Sequence, residues 1–225
     1  MKRTVTFGEI MLRLKTPEHM RILQTDAFEA SYGGAEANVA VSLAVLKDPV
    51  SFVTKLPENP VGTAALNEVR RYGADTSKVV IGGSRLGIYF FEKGTDIRPT
   101  NVVYDREGSA LALAKPQEFH WDEILKDTDI FYFSGVTPAV SENIAKGVLE
   151  ALKYCKAHGI ETVCDLNYRS KMWDTKRAQS VMSELMNYVT LCIANDEDFE
   201  SSLGIHAYDG DISKGIDQVE ATRQA

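Results

Sequence analysis

Short apolar runs alternate along this chain with longer segments in which apolar residues recur at helical spacing, and this alternation restricts the fold more than any other feature. The strand-like runs cover residues 5–10, 50–54, 129–134, 162–164 and 190–194. The helix-like segments cover residues 35–46, 61–72, 141–157, 174–188 and 196–203. Strands that alternate with helices form a mainly parallel sheet with helices on both faces. The sequence therefore predicts an α/β fold in three layers.

Residues 79–114 interrupt this alternation. Within 86–91 and 100–104, β-branched and aromatic residues alternate with polar residues and glycine. Such a pattern is typical of antiparallel strands. We expect an antiparallel patch inserted between the strand-helix units, in the place of a flap or lid.

Charge and cysteine usage argue against several classes of function. The chain has 25 Lys and Arg against 32 Asp and Glu, a formal net charge of −7, which disfavours non-specific nucleic-acid binding and docking on anionic membranes. The three cysteines, Cys155, Cys164 and Cys192, match no zinc-ligand spacing, and we expect reduced thiols in a cytoplasmic protein. We expect neither a signal peptide nor a membrane-spanning helix, because no apolar run reaches the length that either requires.

Two adjacent glycines, Gly33 and Gly34, open the first long helix. Glycine lets the backbone approach a ligand closely, and the amides at a helix start favour acceptor oxygens. Asn38 lies one turn further on, so its amide can face the same place. The alternative is a tight turn followed by Ala-rich helix packing. The sequence has no G-x-G-x-x-G and no G-x-x-x-x-G-K-[ST] string, so dinucleotide and Walker-type sites lose support.

Tyr104 and Arg106 are two residues apart, so in a strand both side chains lie on one face, and Tyr89 stands on the neighbouring predicted strand. Tyrosine hydroxyls bond sugar hydroxyls, and a guanidinium binds a carboxylate at two points. This face could therefore hold a polyhydroxylated anion. The alternative is a solvated sheet face.

Three polar residues, Asp165, Asn167 and Arg169, follow a short apolar strand. A carboxylate and an amide could position a nucleophile while the cation offsets phosphate charge. The alternative is an Asp turn with an exposed arginine.

The chain resembles the ribokinase/PfkB family of sugar kinases, and within it the 2-keto-3-deoxygluconate kinase branch. The matching blocks are Gly8-Glu9 and residues 32–40, 87–89, 104–110, 134–139, 165–169 and 195–198. The resemblance implies one ribokinase-like domain over 1–225, with a β-sheet lid from segments near 10–32 and 84–114 that also joins two or more copies. It further implies ATP-dependent phosphorylation of 2-dehydro-3-deoxy-D-gluconate at its 6-position, with Mg2+.

The resemblance also assigns roles by position. The sugar-acid contacts would come from Gly34, Ala35, Glu36, Asn38, Tyr89, Tyr104, Arg106 and Val136. Arg169 would lie between sugar and phosphates, with Asn167 on the nucleotide side. Asn195 would begin the family's Asn-x-x-Glu motif, tied indirectly to metal and phosphate, although Asp198 stands where the motif has Glu.

The family's catalytic base is the Asp of a Gly-Ala-Gly-Asp motif, and this sequence contains no such string. We expect that base, and the adenine pocket, beyond Ala225. A polypeptide ending there should bind sugar acid weakly and turn over negligibly. Ile212, Ile216 and Val219 lie at helical spacing and predict one more amphipathic helix.

Other functions remain open from the sequence. A kinase of the same family could act on fructose or ribose, and a non-catalytic fragment could bind sugar or dimerise. A nicotinamide oxidoreductase has little support. The sequence does not separate 2-dehydro-3-deoxygluconate from its galactonate epimer.

Overall fold

The computed structural model describes residues 2–206, and five parallel strands form its central sheet. The strands are β1 (Thr4–Phe7), β4 (Val50–Val53), β9 (Ile130–Ser134), β10 (Glu161–Asp165) and β11 (Leu191–Ile193). Their order across the sheet is β11-β10-β9-β1-β4. Every pairing is parallel, as the alternation of strands and helices predicts.

Helices cover both faces of this sheet. They are α1 (Ala35–Val45), α2 (Pro60–Arg70), α3 (Trp121–Ile124), α4 (Val136–Val140), α5 (Glu142–His158), α6 (Thr175–Met186) and α7 (Asp196–Leu203). One core cluster joins Phe7 and Phe133 to Leu152 of α5 and Met182 of α6. A second joins Phe52 to α1 and α2, and Phe52 points to the opposite face because side chains alternate along a strand. The three-layer α/β architecture is therefore confirmed.

Local signals mark the helix ends well. Ser141 caps α5 by accepting a hydrogen bond from the amide of Ile144, and Gly159 ends that helix in the left-handed conformation with φ of 68°. The bounds of α7 match the sequence prediction. The short helices α3 and α4 were not predicted, because four or five residues are too few to show a helical period. The helix expected around Ile216 lies outside the described residues.

A separate sheet of four strands lies outside the parallel one. Its strands are β2 (Met11–Lys15), β3 (Glu29–Gly33), β7 (Ile88–Glu92) and β8 (Asn101–Asp105), in the order β3-β2-β7-β8. We call this the second sheet. The outer pairings are antiparallel, but β2 and β7 run parallel. The antiparallel patch predicted over 79–114 is thus correct for β7 and β8 alone, since the parallel pairing joins strands far apart in the chain.

Two further short strands, β5 (Lys55–Leu56) and β6 (Val80–Ile81), pair in parallel beside the main sheet. Within residues 2–206, no helix has both the length and the apolar character needed to cross a membrane.

Candidate functional site

The start of α1 packs tightly against the end of β1. A Cβ atom added to Gly34 would collide with the carbonyl oxygen of Glu9, so this position has no room for a side chain. Gly33 is different, because a Cβ there would meet only the Asn38 Oδ1 at 3.6 Å and the Tyr89 hydroxyl at 3.9 Å. The amide of Asn38 and the hydroxyl of Tyr89 therefore approach the same small space above Gly33.

The second sheet adds a row of polar and aromatic side chains to that space. Arg13, Tyr89 and Tyr104 are direct neighbours across β2, β7 and β8, so they share one face. The rings of Tyr89 and Tyr104 have centroids 5.8 Å apart, and the guanidinium carbon of Arg106 lies 5.9 Å from the Tyr104 ring centroid. Burial raises the pKa of Tyr89, so its hydroxyl stays protonated and can donate or accept a hydrogen bond.

Arg106 does not present a free guanidinium to this face, because Glu9 forms an ion pair with it. The two side chains are 15% and 4% exposed, respectively. Ser109 donates a hydrogen bond to the other oxygen of Glu9 at 2.6 Å, and Arg106 Nη1 contacts the sulfur of Met172 at 3.0 Å. Much of the positive charge expected for a ligand carboxylate is already neutralised within the protein.

Glu36, one of the predicted sugar-acid contacts, lies at the first turn of α1. Its side chain is fully buried, and Oε1 accepts hydrogen bonds from the amide and hydroxyl of Ser134 at 2.9 and 2.6 Å. The Thr137 hydroxyl donates to the same oxygen at 2.8 Å. Burial raises the pKa of Glu36, although these hydrogen bonds oppose that shift. Glu36 therefore ties α1 to the end of β9 and to α4.

Ala35 and Val136, two other predicted contact residues, are half-buried at the starts of α1 and α4. The amide of Val136 donates to the hydroxyl of Ser134 at 3.2 Å. Ser134 thus contacts both Glu36 and the first residue of α4, so the two helix starts are coupled at this edge of the sheet.

The loop after β10 brings the next predicted set to the carboxyl edge of the parallel sheet. Asp165 ends the strand, Asn167 has a positive φ of 36°, and Arg169 is exposed. Burial raises the pKa of Asp165, and the negative charge of Asp198 raises it further, whereas the charge of Arg169 lowers it. A carboxylate, an amide and a cation therefore stand in one short loop.

Asn195 and Asp198 support that loop from the start of α7. The Asn195 side chain accepts from the amide of Asp198 at 2.7 Å, and Asp198 Oδ1 accepts from the amide of Tyr168 at 2.9 Å. In residues 2–206 no three His, Cys, Asp or Glu side chains are grouped as a metal site. Asp165 and Asp198 bring two carboxylates to this edge, a donor set that fits Mg2+ held mainly by phosphate oxygens and water.

The same loop also reaches the second sheet. Lys171 donates through Nζ to the carbonyl of Val102 in β8 at 2.8 Å, and Met172 contacts Arg106. The Asp165 loop, the Arg106 ion pair and the Tyr104 ring are therefore connected by direct contacts. These contacts bring the loop after β10 next to the end of β8, between the two sheets.

Sequence reasoning assigned no role to Glu9 or Arg13. The ion pair of Glu9 spans 97 positions and gives no local signal. Arg13 could have been found, since the alternation of apolar and basic residues in Met11–Lys15 places Arg13 and Lys15 on one face of a strand.

Two proteins of known name are similar in sequence to most of this chain. The chain is 38% identical over 207 residues to the 2-dehydro-3-deoxygalactonokinase of Haloferax volcanii, which covers 92% of this chain and 64% of that protein. It is 26% identical to the 5-dehydro-2-deoxygluconokinase of Geobacillus thermodenitrificans, over 91% of this chain and 62% of that protein.

A solved structure is similar to this chain in both fold and sequence. The 2-dehydro-3-deoxygluconokinase of Thermotoga maritima superposes with a TM-score of 0.90 at 48% identity, covering 93% of this chain and 63% of that one. The chain thus spans less than two thirds of the length of these relatives. The family model for pfkB family carbohydrate kinases matches residues 1–225. The chain belongs to the pfkB family of carbohydrate kinases.

Proposed function

We propose that this chain forms the sugar-binding part of a kinase that uses ATP to phosphorylate 2-dehydro-3-deoxy-D-gluconate at its 6-hydroxyl. The observation that supports this most is that Asn38 and Tyr89 meet above Gly33. The Tyr104 ring lies beside Tyr89, and the Arg106 ion pair lies next to Tyr104. Amide and phenol groups suit a ligand rich in hydroxyls. The relatives named above act, by their names, on related sugar acids.

The loop after β10 would serve the phosphoryl group. Phosphoryl transfer needs positive charge and hydrogen-bond donors around the moving group, and Arg169 and Asn167 can supply both between sugar and nucleotide. Asp165 and Asp198 would hold Mg2+ largely through water, and that ion would neutralise phosphate charge. The pKa of Asp165 is raised in part by Asp198, a repulsion that a nearby cation relieves.

The acceptor for the proton of the sugar hydroxyl is proposed to lie outside residues 1–225, in the part of the relatives that this chain does not match. Asp165 interacts with the charges of Asp198 and Arg169, where it is better placed to balance charge than to face a sugar hydroxyl. This chain by itself should bind sugar acid weakly and turn over negligibly.

The test is ADP release coupled to NADH oxidation, with the longest natural form of the protein. Substrates are 2-dehydro-3-deoxygluconate, its galactonate epimer, fructose and ribose, each with ATP and Mg2+. We expect turnover with one or both acids and little with the neutral sugars. Preference for fructose or ribose would favour the neutral-sugar alternative. Binding of acid without ADP release would favour a non-catalytic binding role.

We also propose that two copies associate through the second sheet. Leu14, Phe90 and Val103 form a cross-strand row on the face opposite Arg13 and Tyr89, and Phe28 packs edge-on against Phe90. Val103 is 47% exposed and Phe28 is 36% exposed, so this apolar face is open to solvent. Val103→Lys should shift the protein toward monomer in sedimentation experiments, whereas Ile97→Lys, a change at an exposed loop position, should not.

A further inference from the structure

One cation on the site face of the second sheet has no acidic partner. Arg13 lies at the centre of β2, beside Tyr89 of β7. Within residues 2–206 no ion pair includes Arg13, and its Nε is buried without a hydrogen-bond partner. Arg13 is half-buried, and a guanidinium that is partly removed from water without a counter-charge is stabilised when an anion binds it.

Three other cations in or beside the second sheet already have acidic partners. Glu9 neutralises Arg106, Glu29 pairs with Lys15 at 2.8 Å, and Arg98 lies 3.7 Å from Glu92. Lys15 is a close comparison, because it stands two residues from Arg13 on the same strand and the same face. Of the two cations of β2, Lys15 is paired with Glu29, and Arg13 is the one available to an anionic ligand.

Neighbouring aromatic rings hold the Arg13 guanidinium in place. Its central carbon lies 4.9 Å from the centroid of the Phe91 ring, a distance that allows a cation–π contact. On its other side stands Tyr89, and the positive charge of Arg13 lowers the pKa of that tyrosine against the stronger effect of burial. Tyr89 in turn reaches the space above Gly33. The guanidinium is therefore oriented in advance, next to the region where the sugar is expected.

We infer that Arg13 contacts the carboxylate of the acid substrate as a specificity residue, in addition to Arg106, whose guanidinium Glu9 orients. This inference rests on the proposed function. A planar guanidinium offers two parallel N–H donors to a carboxylate, and the flanking Tyr89 hydroxyl can bond an oxygen of the same ligand. Arg13 would thus select sugar acids over neutral sugars.

The experiment measures binding to the longest natural form of the protein by calorimetry with two probes, 2-dehydro-3-deoxygluconate and its neutral methyl ester. Arg13→Met keeps most of the side-chain length and removes the charge, and Arg13→Lys keeps the charge and removes the fork. Lys15→Met is the matched control, since it removes a charge from the same face that is already paired with Glu29. Unfolding curves of all variants establish that each is folded.

We expect Arg13→Met to raise the Kd of the acid about tenfold or more, because a hydrogen bond to a charged group is lost. The Kd of the ester should change little, Arg13→Lys should fall between, and Lys15→Met should match the wild type. Equal binding of the acid by wild type and Arg13→Met would overturn the inference and leave the proposed function standing. An equal loss for acid and ester would mean a merely structural role and would overturn it too.

A failure of the proposed function would give a different result in the same experiment. If the wild-type protein gives no heat with 2-dehydro-3-deoxygluconate, the proposed function falls and this inference falls with it. If Arg13→Met does not fold, the Arg13→Lys variant tests the inference. Lysine cannot make the two-point contact, so this variant should bind the acid more weakly than the wild type and the ester equally well.

Discussion

Glu9 and Arg106 form an ion pair between the end of β1 and the end of β8, across 97 positions of sequence. Ser109 donates to the same carboxylate at 2.6 Å, so both oxygens of Glu9 are engaged. Glu9 lies in the linker between β1 of the parallel sheet and β2 of the second sheet, and Arg106 directly follows β8, so the pair fixes this linker to the end of the second sheet. The geometry of the candidate site depends on this contact.

Replacing Glu9 by Gln should therefore destabilise the fold markedly. The change leaves the Arg106 guanidinium without a counter-charge in a place that is only 15% exposed. Removing one partner of a buried ion pair costs about 3 kcal/mol or more. Urea denaturation measures the loss. Glu29→Gln is the control, since it breaks the exposed pair with Lys15 and should cost less than about 1 kcal/mol. Similar losses for both variants would contradict a dominant role for Glu9.

Glu36 should make stability depend on pH in a particular direction. Burial raises its pKa in the folded protein above the ordinary value of about 4.3. A raised pKa of an acid means that its contribution is fully present below the ordinary value and is lost as pH rises through the folded value. Glu36→Gln cannot titrate. The unfolding free energy of the wild type minus that of Glu36→Gln should thus fall as the pH rises above the ordinary value of about 4.3. An unchanged difference would mean that Glu36 is charged throughout.

The two adjacent glycines should respond differently to alanine. A Cβ at Gly34 meets the Glu9 carbonyl, and backbone cannot move aside cheaply, so Gly34→Ala should lose about 1–3 kcal/mol or more. A Cβ at Gly33 finds ordinary contact distances, so the stability of Gly33→Ala should change by about 0.5 kcal/mol at most. Its new methyl group fills the space between Asn38 and Tyr89, however, and calorimetry should show weaker sugar binding. Full binding by a folded Gly33→Ala would place the sugar elsewhere.

The cap of α7 offers a separate test of the phosphate side. Asn195→Ala removes the acceptor for the amide of Asp198 and should cost about 1 kcal/mol in thermal or urea unfolding. Asp174→Ala is a matched control, because Asp174 caps α6 in the same way by accepting from the amide of Arg177 at 2.8 Å. Only Asn195→Ala should also weaken the dependence of ADP release on Mg2+. Equal effects of both variants on that dependence would leave Asn195 with a structural role alone.

Local chemistry accounts for what could be predicted at the site. Gly33 and Gly34 before an Ala-rich run predict a helix start with an exposed backbone, and Asn38 one turn later does lie beside them. Tyr89 and Tyr104 were expected on neighbouring strands and are direct cross-strand partners. Each of these relations depends on residues close in sequence or on one hairpin, where spacing dictates which side chains meet.

Contacts between residues far apart in sequence account for the features of the site that could not be predicted. Glu36 is a residue type that often binds ligands, and no residue near it in the chain indicates that its carboxyl group instead bonds Ser134 and Thr137. Arg106 was expected to bind a ligand carboxylate, and no residue near it in the chain indicates its ion pair with Glu9. The parallel pairing of β2 with β7 likewise joins segments that no turn connects.

The order of strands and helices, their approximate bounds and the polar residues at strand ends follow from the amino-acid sequence, because periodicity, capping and turn residues act over a few positions. The partner of each buried charge was decided only when the chain folded. Arg106 is neutralised and Arg13 is not, since the energy of a buried charge depends on which groups from other elements surround it.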